Sequence, residues 1–294
     1  MISEGLKQRI PWQAKIAAKI VLSRLPFGYS LWQRLNLFRL GFMDDPTRAI
    51  EVFDFHSGAA GDPLPPDFTV LELGPGDAVT TALTACAAGA SKIYLVDEGD
   101  FAQKELEPYH ALARVLQERG ADMSRVLAAT SFNDMLAACN AVYLTQGLVS
   151  LRTIPPASID FEMSQAVLEH VRRGEFIAVM SQLRRLMAPN GFASHRIDLQ
   201  DHLANALNNL RFSDRIWETD FMARSGFYTN RIRFFEMVDI FEEAGFDTCV
   251  TGVRQFPEMP TSPTKFAPQF KDVPVDDLMV CDFDVVLRPG SETV

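Results

Sequence analysis

The sequence is poor in the residues that staple small folds or build thiolate metal centres. Its four cysteines, Cys86, Cys139, Cys249 and Cys281, are far apart and have no metal-ligand spacing. That pattern excludes a disulfide framework and implies reduced, mostly buried thiols in a cytoplasmic protein. Long apolar runs are missing too: none reaches the ~18 residues that a membrane span needs. Positive charge is in short supply, with 28 Lys and Arg against 38 Asp and Glu and a net charge of −10. General nucleic-acid binding needs a basic face and is excluded on that ground. Histidine is scarce, with five copies in 294 residues, so few side chains can titrate near neutral pH. No internal repeat is present. What remains is 47% hydrophobic, enough for a sizeable core in one large domain or one domain with an extension.

The little positive charge there is lies at one end. Residues 1–48 carry eight basic side chains against Glu4, Asp44 and Asp45, a net +5 that leaves −15 for the remainder. Within this region the spacing of Ile16 and Ile20 predicts a helix over Pro11 to Leu25. Lys15, Lys19 and Arg24 interrupt its apolar stretch, so it is not a secretory signal. Three readings of it stay open: a lid on the main domain, weak contact with an anionic membrane surface or polyanionic substrate, or a solvated basic helix. A second helix is expected over Tyr29 to Leu40. Three prolines in Asp62-Pro63-Leu64-Pro65-Pro66 cannot be helical and mark a boundary. The division is therefore a helical N-terminal extension over 1–66 and a catalytic domain over 67–294.

That domain begins with its most informative stretch. Val70, Leu71 and Leu73 form an apolar run closed by Gly74-Pro75-Gly76, which reads as a buried strand ending in a tight turn. A helix is expected over Ala78 to Ala90, with Asp77 placed to accept its free N–H groups. A second strand, Lys92 to Val96, ends at Asp97, 21 positions after Gly76. Nucleotide-binding βαβ units carry an acidic residue about 20 residues beyond their glycines, where it takes the ribose hydroxyls. A dinucleotide fingerprint, however, wants a third glycine where this chain has Val79.

Further along, helices are expected over Tyr109 to Glu118 and Ser131 to Ala138, then a strand over Ala141 to Leu144 and a loop at Thr145 to Leu148. A fourth strand spans Ile159 to Met163. An amphipathic helix over Phe176 to Met187 is expected to close at Pro189-Asn190-Gly191, with Gly191 left-handed, ahead of a fifth strand over Phe192 to Leu199. Residues 198–230 read as an insertion on the substrate side, because open α/β sheets bind ligands beyond the carboxyl ends of their strands. Its Asp201, His202, Asn205, Asn208, Asn209, Trp217, Phe221 and Tyr228 suit a polyhydroxylated or ring-bearing substrate. A helix over Arg233 to Ala244 and two antiparallel strands, Thr248 to Arg254 and Leu278 to Leu287, finish the chain.

Glu72, Gly74, Gly76 and Ala78 together resemble motif I of the class I S-adenosylmethionine (SAM) methyltransferases. Leu168-Glu169-His170-Val171 and the run Leu183 to Phe192 resemble the type-11 bacterial members of that family. The resemblance covers Phe68 to Leu287. It implies an α/β, Rossmann-like fold: a seven-stranded, mostly parallel sheet with helices on both faces and an antiparallel last strand. SAM is the implied cofactor, held by Glu72, Gly74, Pro75, Gly76, Asp97, Glu98, Gln146, Gly147, Leu148, Ser164 and Gln165. The implied reaction moves a methyl group to an oxygen or nitrogen of a small molecule or glycan, in cell-surface polysaccharide or secondary-metabolite synthesis. A hydroxyl acceptor calls for a general base, for which the order of preference is His202, His170, His195. No metal is expected, because His195 and Asp198 would point to opposite faces of one strand. A SAM-binding scaffold without turnover and an NAD-dependent oxidoreductase are the alternatives.

Overall fold

A computed structural model describes residues 45–290. The helices expected over Pro11 to Leu25 and Tyr29 to Leu40, and with them most of the basic segment, lie outside the described residues. No helix among the described residues is long and apolar enough to cross a membrane.

The helices are α1 (Pro46–Gly58), α2 (Thr80–Ala87), α3 (Glu107–Glu118), α4 (Ser124–Leu127), α5 (Phe132–Ala138), α6 (Gly147–Thr153), α7 (Phe176–Leu186), α8 (Asp214–Trp217), α9 (Asp220–Ala223), α10 (Phe234–Glu243) and α11 (Val275–Met279). The strands are β1 (Thr69–Leu73), β2 (Lys92–Val96), β3 (Ala141–Leu144), β4 (Ile159–Gln165), β5 (Met187–Asp198), β6 (Phe246–Gln255) and β7 (Val280–Pro289). They form one sheet in the order β3-β2-β1-β4-β5-β7-β6. The first five are parallel, and β7 runs antiparallel to both β5 and β6. This is the Rossmann-like, mostly parallel sheet with a reversed last strand that the sequence implied. The link between β6 and β7 holds only 3-10 turns and the five-residue α11, and β7 returns directly beside β6 as its antiparallel neighbour.

Side chains alternate across each strand, and both faces are covered. Val70, Phe161, Met163 and Phe192 join α1, α2, α3 and α5 in one core. Leu71, Leu73, Ala193 and Ile197 join α6, α7 and α10 in the other. Helix α1 starts where Pro46 presets the backbone and the Asp45 carboxylate accepts from Thr47 N at 2.9 Å. It precedes the proline segment at which the sequence places the domain start, yet its Ala49, Ile50 and Phe53 share the first core. The four thiols are less uniformly hidden than expected: Cys139 is buried, Cys86 and Cys281 are half-buried and Cys249 is exposed.

Two turns differ from expectation. Helix α2 starts at Thr80 behind Val79, with no side-chain cap, and Asp77 lies in the preceding turn, where its carbonyl accepts from Gln103 N at 3.0 Å. Helix α7 stops at Leu186, and β5 begins at once. Ile159 pairs with Met187 while Phe161 pairs with Phe192, so Pro189-Asn190-Gly191 form a bulge inside β5 and not a helix cap. A Cβ on Gly191 would stand 2.8 Å from the Ile159 carbonyl oxygen, so close strand approach is what demands glycine there.

The 198–230 insertion folds on itself through buried polar groups. Asp201 accepts from the backbone N–H of Leu203 (3.0 Å) and Ala204 (2.6 Å) and from Asn208 N (2.6 Å). The Trp217 indole donates to Thr229 O at 2.7 Å. Arg231, stacked on Trp217 and Phe270, donates to Phe212 O and to the carboxylates of Asp214 and Glu218. The polar residues expected to face a substrate are therefore largely internal: Asp201, Asn208, Asn209, Trp217 and Tyr228 are all buried. The completed insertion is tied down by Arg233, whose guanidinium donates to the carbonyls of Leu199 (2.9 Å), Asp277 (2.9 Å), Leu278 (3.3 Å) and Val280 (2.7 Å). Burial lowers its pKa to about 10, which still leaves it charged at neutral pH.

Arg233→Met strands four buried carbonyls. It is expected to cost about 3 kcal/mol or more in urea unfolding, the scale of breaking a buried charged network. Arg233→Lys recovers only part of this, because one ammonium cannot reach all four acceptors.

Candidate active site

The bend after β1 is built by two left-handed glycines. Gly74 (φ +70°) donates its N–H to Val96 O at 2.7 Å, and Gly76 has φ +69°. Backbone of this sign is strained for any residue with a Cβ. Asp97, at the end of β2, locks the bend: its Oδ2 accepts from Gly76 N at 2.9 Å and its Oδ1 from Glu98 N at 2.7 Å. The carboxylate that the sequence spacing singled out thus faces the glycine turn. Burial raises its pKa to about 6 against the pull of the two N–H donors. Behind it, Glu72 points toward Thr81 of α2, and burial, relieved in part by the Thr81 hydroxyl, raises its pKa to about 8. Burial thus biases Glu72 toward its neutral, protonated form near neutral pH.

Between the bend and the end of β3 lies a narrow cavity of about 50 Å³, lined by Leu73, Gly74, Val96, Asp97, Glu98, Gly147, Leu148, Leu151, Val167, Val171 and Val179. Its walls are close. The Glu98 carboxylate lies against Gly147 (φ +46°) where a Cβ would stand, and Val167 methyls sit 2.6 Å from the Cβ position of Gly74. The loop expected at Thr145 to Leu148 is shorter than the sequence suggested. Helix α6 begins at Gly147, so Leu148 enters the cavity from a helix while the Gln146 side chain is exposed. Larger hollows exist elsewhere. One of about 420 Å³ flanks β3 and α5, and one of about 440 Å³ lies between Arg173, Phe270 and Pro274. Neither includes the glycine bend.

Two residues that the resemblance assigned to the cofactor are engaged elsewhere. Ser164 Oγ lies 2.7 Å from His195 Nδ1, and Gln165 Oε1 lies 3.0 Å from His56 Nε2. The amide oxygen of Gln165 can only accept, so His56 donates from Nε2, and its Nδ1 takes the Ser194 hydroxyl at 2.8 Å. His56 was expected to lie outside the domain. It instead docks α1 onto β4 and β5, and burial lowers its pKa to about 4. His195 is 1% exposed, and burial lowers its pKa to about 3. It sits inside the sheet as a neutral ring, out of reach of an acceptor, which corrects its place among the expected bases.

The other two histidines meet. His170 follows β4 in a 3-10 turn, His202 follows β5, and their rings stack with centroids 4.8 Å apart and Nε2 atoms 3.1 Å apart. His170 Nδ1 stands 2.8 Å from Tyr228 O, a carbonyl that can only accept. His170 therefore carries its proton on Nδ1 and presents a lone pair at Nε2. Asn230 holds the turn, its side-chain amide donating to Leu168 O (2.8 Å) and Val171 O (3.0 Å). Val167 and Val171, which flank this turn, are cavity walls, but neither histidine lines the cavity itself. Glu169 lies in the same turn. It is 1% exposed, neither carboxylate oxygen makes a well-formed hydrogen bond, and burial raises its pKa well above the carboxylate range against the pull of the backbone N–H groups of Glu169 and Asp198. Sequence reasoning singled out the two histidines separately, but the 32 residues between them hid their contact, and Glu169 was read only as part of the Leu168–Val171 likeness, with no site role. The adjacent Glu169-His170 pair was the available signal.

No family model matches the chain, and no curated protein matches it. Among solved structures, the fold is similar to phosphoethanolamine N-methyltransferase 2 of Haemonchus contortus (12% identity, TM-score 0.48), with 96% of this chain and 61% of that one covered. It is also similar to a putative SAM-dependent methyltransferase of Listeria monocytogenes (15% identity, TM-score 0.44; 84% and 100% covered). A third is the CurJ carbon methyltransferase (15% identity, TM-score 0.42; 98% and 71% covered). At these scores the likenesses carry no argument about this chain's reaction, which has to be read from its own strand order and site.

Proposed function

We propose that the chain is a SAM-dependent methyltransferase that methylates an oxygen, or a nitrogen, of a small molecule or glycan in the cytoplasm. The observation that carries this reading is the carboxylate of Asp97 locked onto the Gly76 N–H at the carboxyl edge of β1 and β2. Each Asp97 oxygen takes one backbone N–H and keeps a second acceptor direction, enough for a ribose diol. Gly74, Gly76 and Gly147 let the backbone come close to the bound group, and Leu148 supplies an apolar wall. Entry requires Val167 and Glu98 to swing off the glycines they cover. Bound there, SAM supplies a methyl group on a positively charged sulfur.

The chain's own task is then positioning. Alignment of donor and acceptor can account for roughly 7–11 kcal/mol of barrier reduction. The acceptor atom comes to the His170–His202 pair, and the turn that bears His170 lies between the cavity walls Val167 and Val171, which supports that role. An NAD-dependent oxidoreductase is disfavoured by Val79 at the third glycine position and by the reversed β7. A SAM-binding scaffold without turnover is the second reading, favoured by the burial of His195, which removes one of the three expected bases. A labelled-methyl screen against sugar nucleotides, glycans and small phenols separates the two, since a scaffold labels none of them.

Asp97→Ala removes a charge-assisted acceptor and is expected to weaken SAM binding by roughly 1.5–3 kcal/mol, about ten- to a hundredfold, in calorimetry. Unchanged affinity refutes the placement. Protonation of Asp97 below its raised pKa of about 6 removes the anionic acceptor. SAM affinity should therefore fall by up to about tenfold per pH unit below 6 and level off above it, and Asp97→Asn should flatten that dependence. His202→Ala should lower turnover by roughly a hundredfold or more while leaving SAM affinity within about twofold. Equal turnover removes His202 from the reaction.

A further inference from the structure

We propose that Glu169, His170 and His202 form a binding site for one divalent transition-metal ion of the zinc class, and that the methyl acceptor's oxygen is the ion's remaining ligand. The proposal rests on the methyl-transfer reading only for what the ion does, not for its binding.

The donor atoms are already gathered. One ligand atom from each residue lies within 4.8 Å of the other two. The two Nε2 atoms stand 3.1 Å apart. Zinc–nitrogen bonds of about 2.0–2.1 Å at a tetrahedral angle set two nitrogens about 3.3 Å apart, so only a small adjustment is needed. His170 also has the support that metal-ligating histidines show. Its Nδ1–H is tied to the Tyr228 carbonyl, which fixes the ring and aims the Nε2 lone pair at the cluster. Glu169 is the independent sign. A carboxylate that is 1% exposed, with neither oxygen in a well-formed hydrogen bond, has only the backbone N–H groups of Glu169 itself and Asp198 nearby to offset its burial. Burial of a carboxylate with so little compensation is costly, and a cation is one of the few groups that offsets it. The Asp198 charge lies close enough to act on Glu169, and it adds to the negative field around the two imidazoles.

The donor set selects the ion. Two imidazoles and one carboxylate suit zinc and its neighbours, whereas magnesium and calcium prefer oxygen ligands throughout. Three protein ligands leave a fourth position open, the pattern of a catalytic and not a structural zinc. An acceptor hydroxyl in that position acidifies. Its O–H bond breaks, the proton passes to water, and the electron pair stays on the oxygen that attacks the methyl group. No redox change is required, so a redox-inert ion suffices. This assigns His202 and His170 as ligands that act through the ion, in place of a free imidazole base.

The test uses the full chain freed of metal by a chelator. Calorimetry with Zn²⁺ is expected to show one equivalent bound with micromolar or tighter Kd, weakened at least tenfold in Glu169→Gln and in His202→Ala. Mg²⁺ at millimolar concentration should not compete. Absence of Zn²⁺ binding to the wild-type chain overturns the proposal, and so does Zn²⁺ binding that survives both substitutions. Should either variant fail to fold, as judged by circular dichroism, the Co²⁺ form of the wild type decides. Paramagnetically shifted N–H resonances from two histidines support the site, and none overturns it. SAM binding measured in parallel keeps the two readings apart. SAM bound without Zn²⁺ sinks the metal site alone, whereas Zn²⁺ bound without SAM sinks the methyltransferase reading and leaves the site standing.

Discussion

The hydrogen bond from Gly76 N–H to Asp97 joins the ends of two neighbouring parallel strands, and the site is organised around it. Parallel strands all deliver their carboxyl ends to one edge, where backbone N–H groups leave the ladder and need new acceptors. One carboxylate meets two of those needs here, at Gly76 and at Glu98. Without it the bend would carry unpaired N–H groups in a half-buried place. The same oxygens keep an acceptor direction toward the cavity, so the group that stabilises the turn is also the one able to hold a diol. The raised pKa of Asp97 reflects the conflict between these donors and the burial that the cavity imposes.

A second layer of buried polar groups sets the acceptor side. Arg233 satisfies four carbonyls at the seam between β5, α11 and β7, and Asn230 satisfies two more in the turn that bears Glu169 and His170. These contacts span long sequence distances and take the place of a ladder where the chain is irregular. They explain why the insertion, so rich in Asp, Asn and Trp, presents little of that chemistry to solvent. Its polarity is used to build a rigid frame, and the frame brings His202 onto His170.

Much of the architecture was legible in the chain. The strands Lys92–Val96 and Ala141–Leu144 follow their apolar runs residue for residue, and Gly245, left-handed at φ +89°, ends α10 where the sequence put a stop. Local chemistry decides such features. Pro189-Asn190-Gly191 misled because a bulge and a helix cap use the same residues, and only the register of β4 against β5 distinguishes them. Ser164 and Gln165 likewise looked available, yet two buried histidines from distant parts of the chain, His195 and His56, take their side chains.

By itself, then, the sequence determined the strand-bend-helix opening, the acidic residue that faces it and the alternation that covers both sides of the sheet. Each depends on periodicity, backbone sterics or a short fixed spacing. Tertiary structure alone decided which histidines are sealed in the core and which meet at the edge, and that the Glu169 carboxylate is buried beside them. Burial and contact between residues 32 or more apart depend on how the whole sheet is stacked, and no local pattern encodes that.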